Sequence, residues 1–241
     1  MAKKQGSKQQ KTLSAPKSHF MPRKTKNWTI AYRPGTHAKK LSVPLGFALR
    51  DIMKIVKNTK EIKFLLNNSQ IEVDGIVRKE RNFPIGLFDI IEIKELKKSF
   101  RVLIDTNGRL VIRELPAGKN FKIARIMSKK AMKGGKIMLS SSDGRNFILA
   151  KTDLKPGDSV KTQVPENKII QELKLQEGST VLLIAGKHVG KTAKVAEIIP
   201  GTLTKERILQ LNSGSEEFQT TEKNILVIGK EKAEIEVFKG E

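Results

Sequence analysis

The sequence contains no cysteine, which excludes disulfide bonds and metal sites with thiolate ligands. Its three histidines, His19, His37 and His188, are too scattered to indicate a metal cluster. No apolar run approaches the roughly 20 residues of a membrane-spanning helix, and the N-terminus lacks a hydrophobic signal core. We therefore expect a protein that stays inside the cell and needs no metal or other cofactor.

Acidic residues are absent from the first 50 positions, which hold 12 lysines and arginines. Residues 51–170 hold 25 basic and 14 acidic residues, whereas residues 171–241 hold 10 and 11. The formal net charge is +22, and only the last third is close to neutral. This gradient indicates a polyanion, namely nucleic acid, that contacts the first two thirds of the chain. The neutral third suggests a protein neighbour or solvent.

The length of 241 residues, with 38% apolar and 30% charged residues, suits two or three small domains with their own cores. We expect an α+β, multidomain protein with four parts. These are a basic N-terminal extension (1–42), a small α+β module (43–95), a central small antiparallel β domain (96–173) and a β-barrel with a C-terminal strand (174–241).

Two short helices and a hairpin are predicted in the α+β module. Apolar residues spaced by three and four predict a helix at residues 44–57, with Pro44 in its first turn. Asn58 is expected to cap a second helix, and Asp74-Gly75 to form a two-residue hairpin turn. The basic residues here outline a phosphate-binding face, although solvated lysines on an ordinary core would show the same spacing. They are Arg50, Lys54, Lys57, Lys60, Lys63, Arg78, Lys79 and Arg81.

The N-terminal extension is interrupted by Pro16, Pro22 and Pro34, so it should be disordered by itself. Aromatic side chains among its charges are typical of a segment that orders on RNA by stacking. Trp28 and Tyr32 have an alternative, which is docking on the neighbouring core. The RNA-binding candidates are Lys11, Lys17, His19, Phe20, Arg23, Lys24, Trp28, Arg33, His37, Lys39 and Lys40.

Turn signals between short apolar runs predict an antiparallel barrel or sandwich in the central domain. The signals are Asn107-Gly108, Asp143-Gly144, Pro156-Gly157-Asp158 and Pro165-Glu166-Asn167. Between them, Gly134-Gly135 lies in a basic loop with Lys129, Lys130, Lys133 and Lys136. This loop is either merely solvated or able to bring its backbone close to phosphates.

Glycines and a lysine at residues 186–192 superficially suggest a P-loop, but the spacing is one residue short. Residues 194–199 also alternate as a strand, whereas a P-loop opens into a helix. The segment instead resembles a KOW motif, with Gly178, Val181, Gly186, Gly190 and Val195 in place. That resemblance implies an SH3-like barrel whose loop contacts RNA or protein through Lys187, His188 and Lys191. Residues 224–230 should complete the barrel, and residues 231–241 should form a last strand with a frayed end.

The α+β module resembles the S4 RNA-binding module through Leu65-Leu66, Ile71, Val73, Asp74-Gly75, Ile85 and Asp89-Ile90. It departs from that pattern at three positions. Ser69 stands where glycine is usual, Asp74 where asparagine is usual, and Phe88 where glycine is usual.

The order of the parts resembles the ribosomal protein S4e family of archaea and eukaryotes. The resemblance runs from residues 13–17 through 33–35 and 105–109 to 224–229, and the short tail suits the archaeal members. It implies a cytoplasmic, non-enzymatic protein of the small ribosomal subunit. Such a protein binds small-subunit ribosomal RNA, stabilises its fold during assembly and translation, and contacts neighbouring ribosomal proteins without forming a homo-oligomer.

Two other functions fit parts of the chain. A KOW-bearing transcription elongation factor is one, although it has no evident need for the basic extension. An RNA-modifying enzyme such as a pseudouridine synthase is the other, with Asp105, Asp143 or Asp153 as the catalytic residue. Asp105 and Asp143 lie in turn signals, where aspartate is expected for backbone reasons. The chain is also too short for a separate catalytic domain, so we expect no enzyme.

Overall fold

The computed structural model describes residues 9–116, 120–202, 204–214, 216–231 and 233–235. The chain divides into two compact units, residues 1–103 with 109–119 and residues 104–108 with 120–241. Strands dominate both units and the helices are short. In the described part of the chain, no helix is long and apolar enough to cross a membrane.

The first unit contains a two-stranded ribbon, two short helices and a five-stranded sheet. Its elements in chain order are β1 (Gln10–Lys11), β2 (Trp28–Thr29), a 3-10 turn (Lys39–Leu41), β3 (Ser42–Pro44), α1 (Leu45–Phe47), a π-helical turn (Ala48–Ile52), α2 (Thr59–Asn67), β4 (Ile71–Val73), β5 (Ile76–Val77), β6 (Pro84–Gly86), β7 (Ile90–Ile93), β8 (Lys98–Ile104) and β9 (Leu110–Glu114). β1 pairs with β2 and β3 with β6, and the sheet has the order β5-β4-β7-β8-β9.

The first helix is shorter than predicted. Its turns end at Ile52, whereas the sequence predicts a helix through residue 57, so that prediction is wrong. The amide of Met53 donates to the carbonyl of Ala48, the wide spacing of a π turn, and Lys54 adopts a positive φ of 55°. The chain then turns back, which buries Val56 without a further helical turn. Pro44 lies in β3 just before α1 rather than inside the helix.

The second helix is confirmed, although the Asn58 side chain makes no capping hydrogen bond. Asn58 is its N-cap residue, and the Glu61 carboxylate accepts a hydrogen bond from the Lys57 amide at 2.8 Å. At the C-terminus, the amides of Ser69 and Gln70 donate to the carbonyls of Leu66 and Leu65. These two bonds form a Schellman motif, with Ser69 at a φ of 56°.

The three departures from the S4 pattern share one backbone conformation. Ser69, Asp74 and Phe88 all have positive φ, at 56°, 52° and 65°. Glycine adopts this region without strain, and asparagine and aspartate adopt it more readily than most residues. The chain therefore keeps the backbone that the usual glycine or asparagine provides while using other side chains. Asp74 and Gly75 form the predicted hairpin turn between β4 and β5, with both φ angles positive.

The hairpin formed by β8 and β9 extends the sheet of the first unit. β8 pairs with β7 over residues 98–101, so its strands continue that sheet, whereas the sequence places the hairpin at the start of the central domain. The hairpin tip, residues 104–108, is grouped with the second unit. Gly108 has a φ of 74° and donates its amide to the Asp105 carbonyl, which closes the turn.

The second unit contains two five-stranded antiparallel sheets. The strands of the first are β10 (Phe121–Ala131), β11 (Ile137–Ser141), β12 (Asn146–Leu149), β13 (Ser159–Gln163) and β14 (Ile169–Leu173), in the order β12-β11-β10-β13-β14. A cluster that includes Ile126, Leu139, Phe147 and Val160 forms its core. The predicted turn at Asp143-Gly144 joins β11 to β12, and Gly144 has a φ of 75°.

The second sheet contains the strands β15 (Thr180–Leu183), β16 (Thr192–Ile199), β17 (Ile208–Ser213), β18 (Glu216–Thr221) and β19 (Ile225–Gly229), with a 3-10 turn (Glu222–Asn224) before β19. Their order is β18-β17-β16-β15-β19. A strand rather than a helix follows Lys191, which excludes the P-loop interpretation. β19 confirms the strand predicted at residues 224–230. Residues 231 and 233–235 are not in a strand, and the remainder of the predicted last strand, 232 and 236–241, lies outside the described residues.

Candidate nucleic-acid interface

A basic cleft of about 300 Å³ lies in the first unit, beside β2 and the π-helical turn. Lys26, Arg50 and Arg81 contribute the cationic side chains of its lining, and Trp28 the aromatic ring. None of the described residues that line it is acidic. Cations next to an exposed ring are the combination that binds phosphates and stacks a nucleic-acid base.

Gly46 explains how Arg81 reaches this cleft. The Gly46 amide donates to the Arg81 carbonyl at 2.8 Å, and a Cβ on Gly46 would lie only 3.0 Å from Arg81 Cβ and from Ile30 Cδ1. A side chain at position 46 would require these neighbours to shift by a few tenths of an ångström, so glycine favours the close approach of the helix start to this segment. Arg50 lies on the π-helical turn that follows, where Asp51 lies 2.7 Å from its guanidinium and partly neutralises it.

Trp28 is the exposed aromatic residue of the cleft. Its side chain is 51% exposed, and the Lys11 ammonium lies 5.9 Å from the centre of the ring. The pairing of β1 with β2 brings these two residues together, because Lys11 and Trp28 are direct partners in the ribbon. An exposed indole beside a cation can stack on any of the bases, whatever the sequence.

Within the whole chain, the N-terminal extension from Gln9 onward is folded, and disorder of this segment by itself stays a prediction. The Arg23 guanidinium donates hydrogen bonds to the carbonyls of Ala15 at 2.7 Å and Pro16 at 3.0 Å, so it closes the segment on itself. Tyr32 docks on the core and donates to the Ser42 carbonyl at 2.9 Å. Residues 1–8 lie outside the described residues.

His19 is buried and cannot stack on RNA, which corrects the prediction from the sequence. Its side chain is 3% exposed, its ring is stacked at 4.9 Å on Phe47, and it bonds to the Tyr32 hydroxyl. Burial removes the imidazolium from water and lowers the pKa of His19 to about 4. The ring is therefore neutral at pH 7.

Several of the other predicted side chains are held by polar or acidic partners within the protein. His37 Nε2 lies 2.9 Å from the buried Asp89 carboxylate and packs directly over Gly86. Arg33 forms an ion pair with Glu80, and the Lys39 ammonium donates to the Gln10 amide oxygen at 2.8 Å. These groups order the extension against the module, so they are less available to phosphates than the sequence suggests.

The remaining candidates of the first unit lie at its surface. Arg78 is half-buried, with its guanidinium 4.2 Å from the centre of the Phe83 ring, which fixes its position. The exposed set is Lys11, Lys17, Phe20, Lys24, Lys40, Lys54, Lys57, Lys60, Lys63 and Lys79.

In the second unit, the β10–β11 hairpin ends in an exposed basic tip. Lys130, Lys133 and Lys136 are exposed, and the Lys129 ammonium donates to the Thr152 carbonyl at 2.8 Å. A Cβ on Gly134 or Gly135 would meet no atom within 4 Å. These two glycines are therefore needed for the turn, where both φ angles are positive, and not for packing against the protein.

The basic residues of the loop between β15 and β16 are less available to phosphates than its sequence suggests. Lys191 forms an ion pair with Glu216 at 3.0 Å, and this lowers the pKa of the Glu216 carboxyl. His188 stacks on Phe218 with 4.2 Å between the ring centres. Lys187 is exposed. Strand β18 thus supplies the groups that hold two of the three predicted loop residues.

Two residues outside the predicted set belong to these surfaces. Lys26 lines the basic cleft, and the Arg109 guanidinium lies 4.7 Å from the centre of the exposed Phe20 ring. Arg109 follows a turn signal and carries no local pattern of its own, so only the three-dimensional contact identifies it. Lys26, two residues before Trp28, could have been found from that spacing.

The aspartates considered for catalysis have structural roles or are exposed to solvent. Asp105 accepts a hydrogen bond from the Thr106 amide at 2.7 Å within its turn, and Asp153 is exposed. Asp143 is 2% exposed and lies 3.2 Å from the equally buried Lys122 ammonium. Burial by itself raises the pKa of Asp143, but Lys122, Ser141 and Arg145 outweigh that effect and lower it. Asp143 is therefore an ionised partner of a buried ion pair.

Comparisons with known proteins identify the family of the chain. Residues 96–169 match the family described as "Ribosomal family S4e", and residues 177–209 match the KOW motif. A small ribosomal subunit protein eS4 from Methanosphaera stadtmanae is 38% identical over 233 residues, 96% of this chain and 96% of that protein. The chain belongs to the ribosomal S4e family.

Other members of the S4e family support this assignment. The small ribosomal subunit protein eS4 of Archaeoglobus fulgidus is 34% identical over 92% of this chain and 93% of its own length. The crystal structure of the 30S ribosomal protein S4e from Thermoplasma acidophilum has a TM-score of 0.68 and 29% identity, and the similarity covers 79% of this chain and 96% of that one. These relatives confirm the predicted S4e family and its archaeal character. The family consists of ribosomal structural proteins, so the expectation of a protein that is not an enzyme is confirmed.

Proposed function

We propose that this chain is a structural constituent of the small ribosomal subunit that binds ribosomal RNA and stabilises its fold during assembly and translation. The observation that carries this proposal is the cleft with Lys26, Arg50, Arg81 and the exposed Trp28. Phosphate oxygens are bound by the cations, and an unstacked base lies against the indole. Neighbouring small-subunit proteins are the other proposed partners, without a homo-oligomer, a membrane or a cofactor.

We propose the following architecture for this function. Residues 43–95 form the S4-type RNA-binding module behind the basic extension 1–42. Residues 96–173 form the central β domain, with its first hairpin, β8–β9, joined to the sheet of the first unit. Residues 174–241 form an SH3-like KOW barrel. The exposed lysines of the first unit, apart from Lys60, and those of the β10–β11 hairpin tip contact phosphates, and Phe20 with Arg109 forms a second stacking surface. Arg23, Arg33, His37 and Lys39 support the RNA-binding surface indirectly, because protein groups already hold them.

The test is filter binding of the full chain to small-subunit ribosomal RNA, with the double variant Trp28→Ala/Arg81→Ala. Loss of one stacking contact and one phosphate contact is expected to weaken binding by about tenfold or more, since each base stacked on an aromatic residue contributes about 1–3 kcal/mol. The control variant is Lys168→Ala, which removes an exposed lysine that is paired with Glu166. Equal affinities of the double variant and the control would contradict the proposal.

Sedimentation of cell lysate separates this function from its alternative. A built-in ribosomal component co-migrates with the small subunit and with whole ribosomes, and it stays there at moderate salt. A KOW-containing transcription elongation factor, the second candidate, would instead migrate with RNA polymerase. An immunoblot across the gradient distinguishes the two.

A further inference from the structure

A groove of a different kind lies on the outer side of α2. It measures about 580 Å³ and is lined mainly by apolar side chains, among them Ile55, Phe64 and Leu96. These three are 36%, 63% and 48% exposed. Large apolar side chains gathered in an exposed groove are typical of a protein interaction site.

The helix pattern explains why this face of α2 is exposed. Ile62 and Leu66 of α2 are buried and face the core. Phe64 follows Ile62 by two residues, which is about 200° around a helix, so it lies on the opposite side. Leu96 lies in the exposed turn between β7 and β8 and extends the apolar surface beyond the helix.

The charges around the groove differ from those of the basic cleft in the same unit. The groove lining carries Glu61 and Glu95 against Lys60, whereas the cleft lining carries cations without a carboxylate among its described residues. In a chain with a net charge of +22, an acidic balance around an apolar groove disfavours phosphate. The same carboxylates attract lysine or arginine.

We propose that this groove binds a peptide segment of a neighbouring protein, with apolar side chains over Phe64 and Leu96 and a basic side chain beside Glu95. The volume accommodates a few side chains rather than a domain. In this proposal, RNA binds the basic cleft, and a protein segment binds the apolar groove on α2. This inference rests on the proposed function, because the neighbour is sought within the small subunit.

The experiment places p-benzoylphenylalanine at position 64 of the full chain, made in cells and irradiated in purified small subunits. Phe64 is exposed, so the substitution leaves the core intact. The expected product survives ribonuclease, and its mass spectrum identifies a protein segment with apolar residues and at least one lysine or arginine. The same photoreactive residue at position 20 is the control and is expected to cross-link to RNA.

Charge reversal at the groove gives the second measurement. Glu95→Lys is expected to lower the cross-linking yield at position 64 at least fivefold, whereas Glu177→Lys, an exposed carboxylate of the second unit, leaves it unchanged. Three outcomes would overturn the inference. They are a cross-link from position 64 to RNA, no product at position 64 while position 20 reacts, and a cross-linking yield that Glu95→Lys does not change. Absence of the chain from small-subunit fractions would instead overturn the proposed function, and this inference with it.

Discussion

His19 is held neutral because it is buried between Phe47 and Tyr32. Its Nδ1 atom has no hydrogen-bond partner among the described residues, so a proton there would be a buried and unsatisfied donor. Burial is the largest cause of its lowered pKa, and the nearby Arg23 and Lys39 act in the same direction. The residue thus stabilises the folded extension only in its neutral form.

We expect the unfolding free energy to fall as the pH drops from about 6.5 to about 4, because the unfolded chain takes up the His19 proton first. The shift of pKa from 6.5 to about 4 corresponds to about 3 kcal/mol in total. Urea unfolding at several pH values measures this loss of unfolding free energy. The His19→Phe variant should show a weaker pH dependence of the unfolding free energy over the same range. Tyr32→Phe, which keeps the imidazole buried, should retain the pH dependence. A wild-type slope in His19→Phe would contradict the assignment.

Gly190 shows how a single missing side chain fixes a loop. Its φ is 79°, and a Cβ would lie 2.5 Å from the Asp105 carbonyl oxygen. The loop between β15 and β16 therefore packs directly on the 104–108 turn of the same unit, with no room for even a methyl group.

Gly190→Ala should destabilise the protein much more than Gly178→Ala. Gly178 has a similar φ of 83° but nothing within 4 Å of the position of a Cβ, so alanine there costs only backbone strain, about 1 kcal/mol. At Gly190 the backbone clash adds to that strain, and we expect at least twice the loss. Thermal unfolding of both variants tests this, and equal losses would show that the loop can move away.

At the scale of the element, the end of α2 shows how a helix terminus tolerates an unfavourable residue. Ser69 takes the position of the Schellman motif where glycine is commonest. A left-handed conformation costs a residue with a side chain about 1–2 kcal/mol, and the two backbone hydrogen bonds of the motif offset it here.

Ser69→Gly is therefore expected to raise the unfolding free energy by about 0.5 kcal/mol. Removal of the strain exceeds the extra freedom that glycine gives the unfolded chain. Chemical denaturation provides the measurement, with Ser69→Ala as a control that keeps the strain and should show little gain. A loss of stability in Ser69→Gly would mean that the serine side chain contributes more than its backbone strain costs.

At the scale of the whole molecule, the positive charge is distributed unevenly along the chain and over its surfaces. The β10–β11 hairpin tip has three exposed lysines, whereas the last third has a sequence charge of −1 and pairs Lys191 with Glu216. Phosphate contacts release counterions, so the salt dependence of binding counts the cations that face RNA.

The triple variant Lys130→Ala/Lys133→Ala/Lys136→Ala is expected to lower the salt slope of RNA binding by about 2 to 3. The matched triple variant Lys187→Ala/Lys194→Ala/Lys205→Ala, also at exposed positions, should lower it by less than about 1. Both slopes come from filter binding to small-subunit ribosomal RNA between low and moderate salt. Equal slopes for the two variants would mean that RNA contacts the C-terminal third as strongly as the hairpin.

The sequence by itself determined what depends on neighbouring residues and on composition. Turn residues such as Asp74-Gly75 and Asp143-Gly144 predict hairpins because the left-handed backbone requirement is local, and alternation after Lys191 excludes a P-loop for the same reason. The charge gradient indicated RNA without reference to any fold, and the order of the parts indicated the S4e family that the comparisons confirm.

Only the tertiary structure decided which of the predicted side chains face solvent. His19, Arg23 and His37 are of residue types that commonly bind RNA, yet each is held by a group of the protein. Phe47 packs on His19, backbone carbonyls accept hydrogen bonds from Arg23, and Asp89 pairs with His37. Each outcome depends on groups up to some 50 residues away in the chain, and no local pattern records whether such groups meet. The basic cleft and the apolar groove on α2 exist for the same reason, since each is built from segments that only folding brings together.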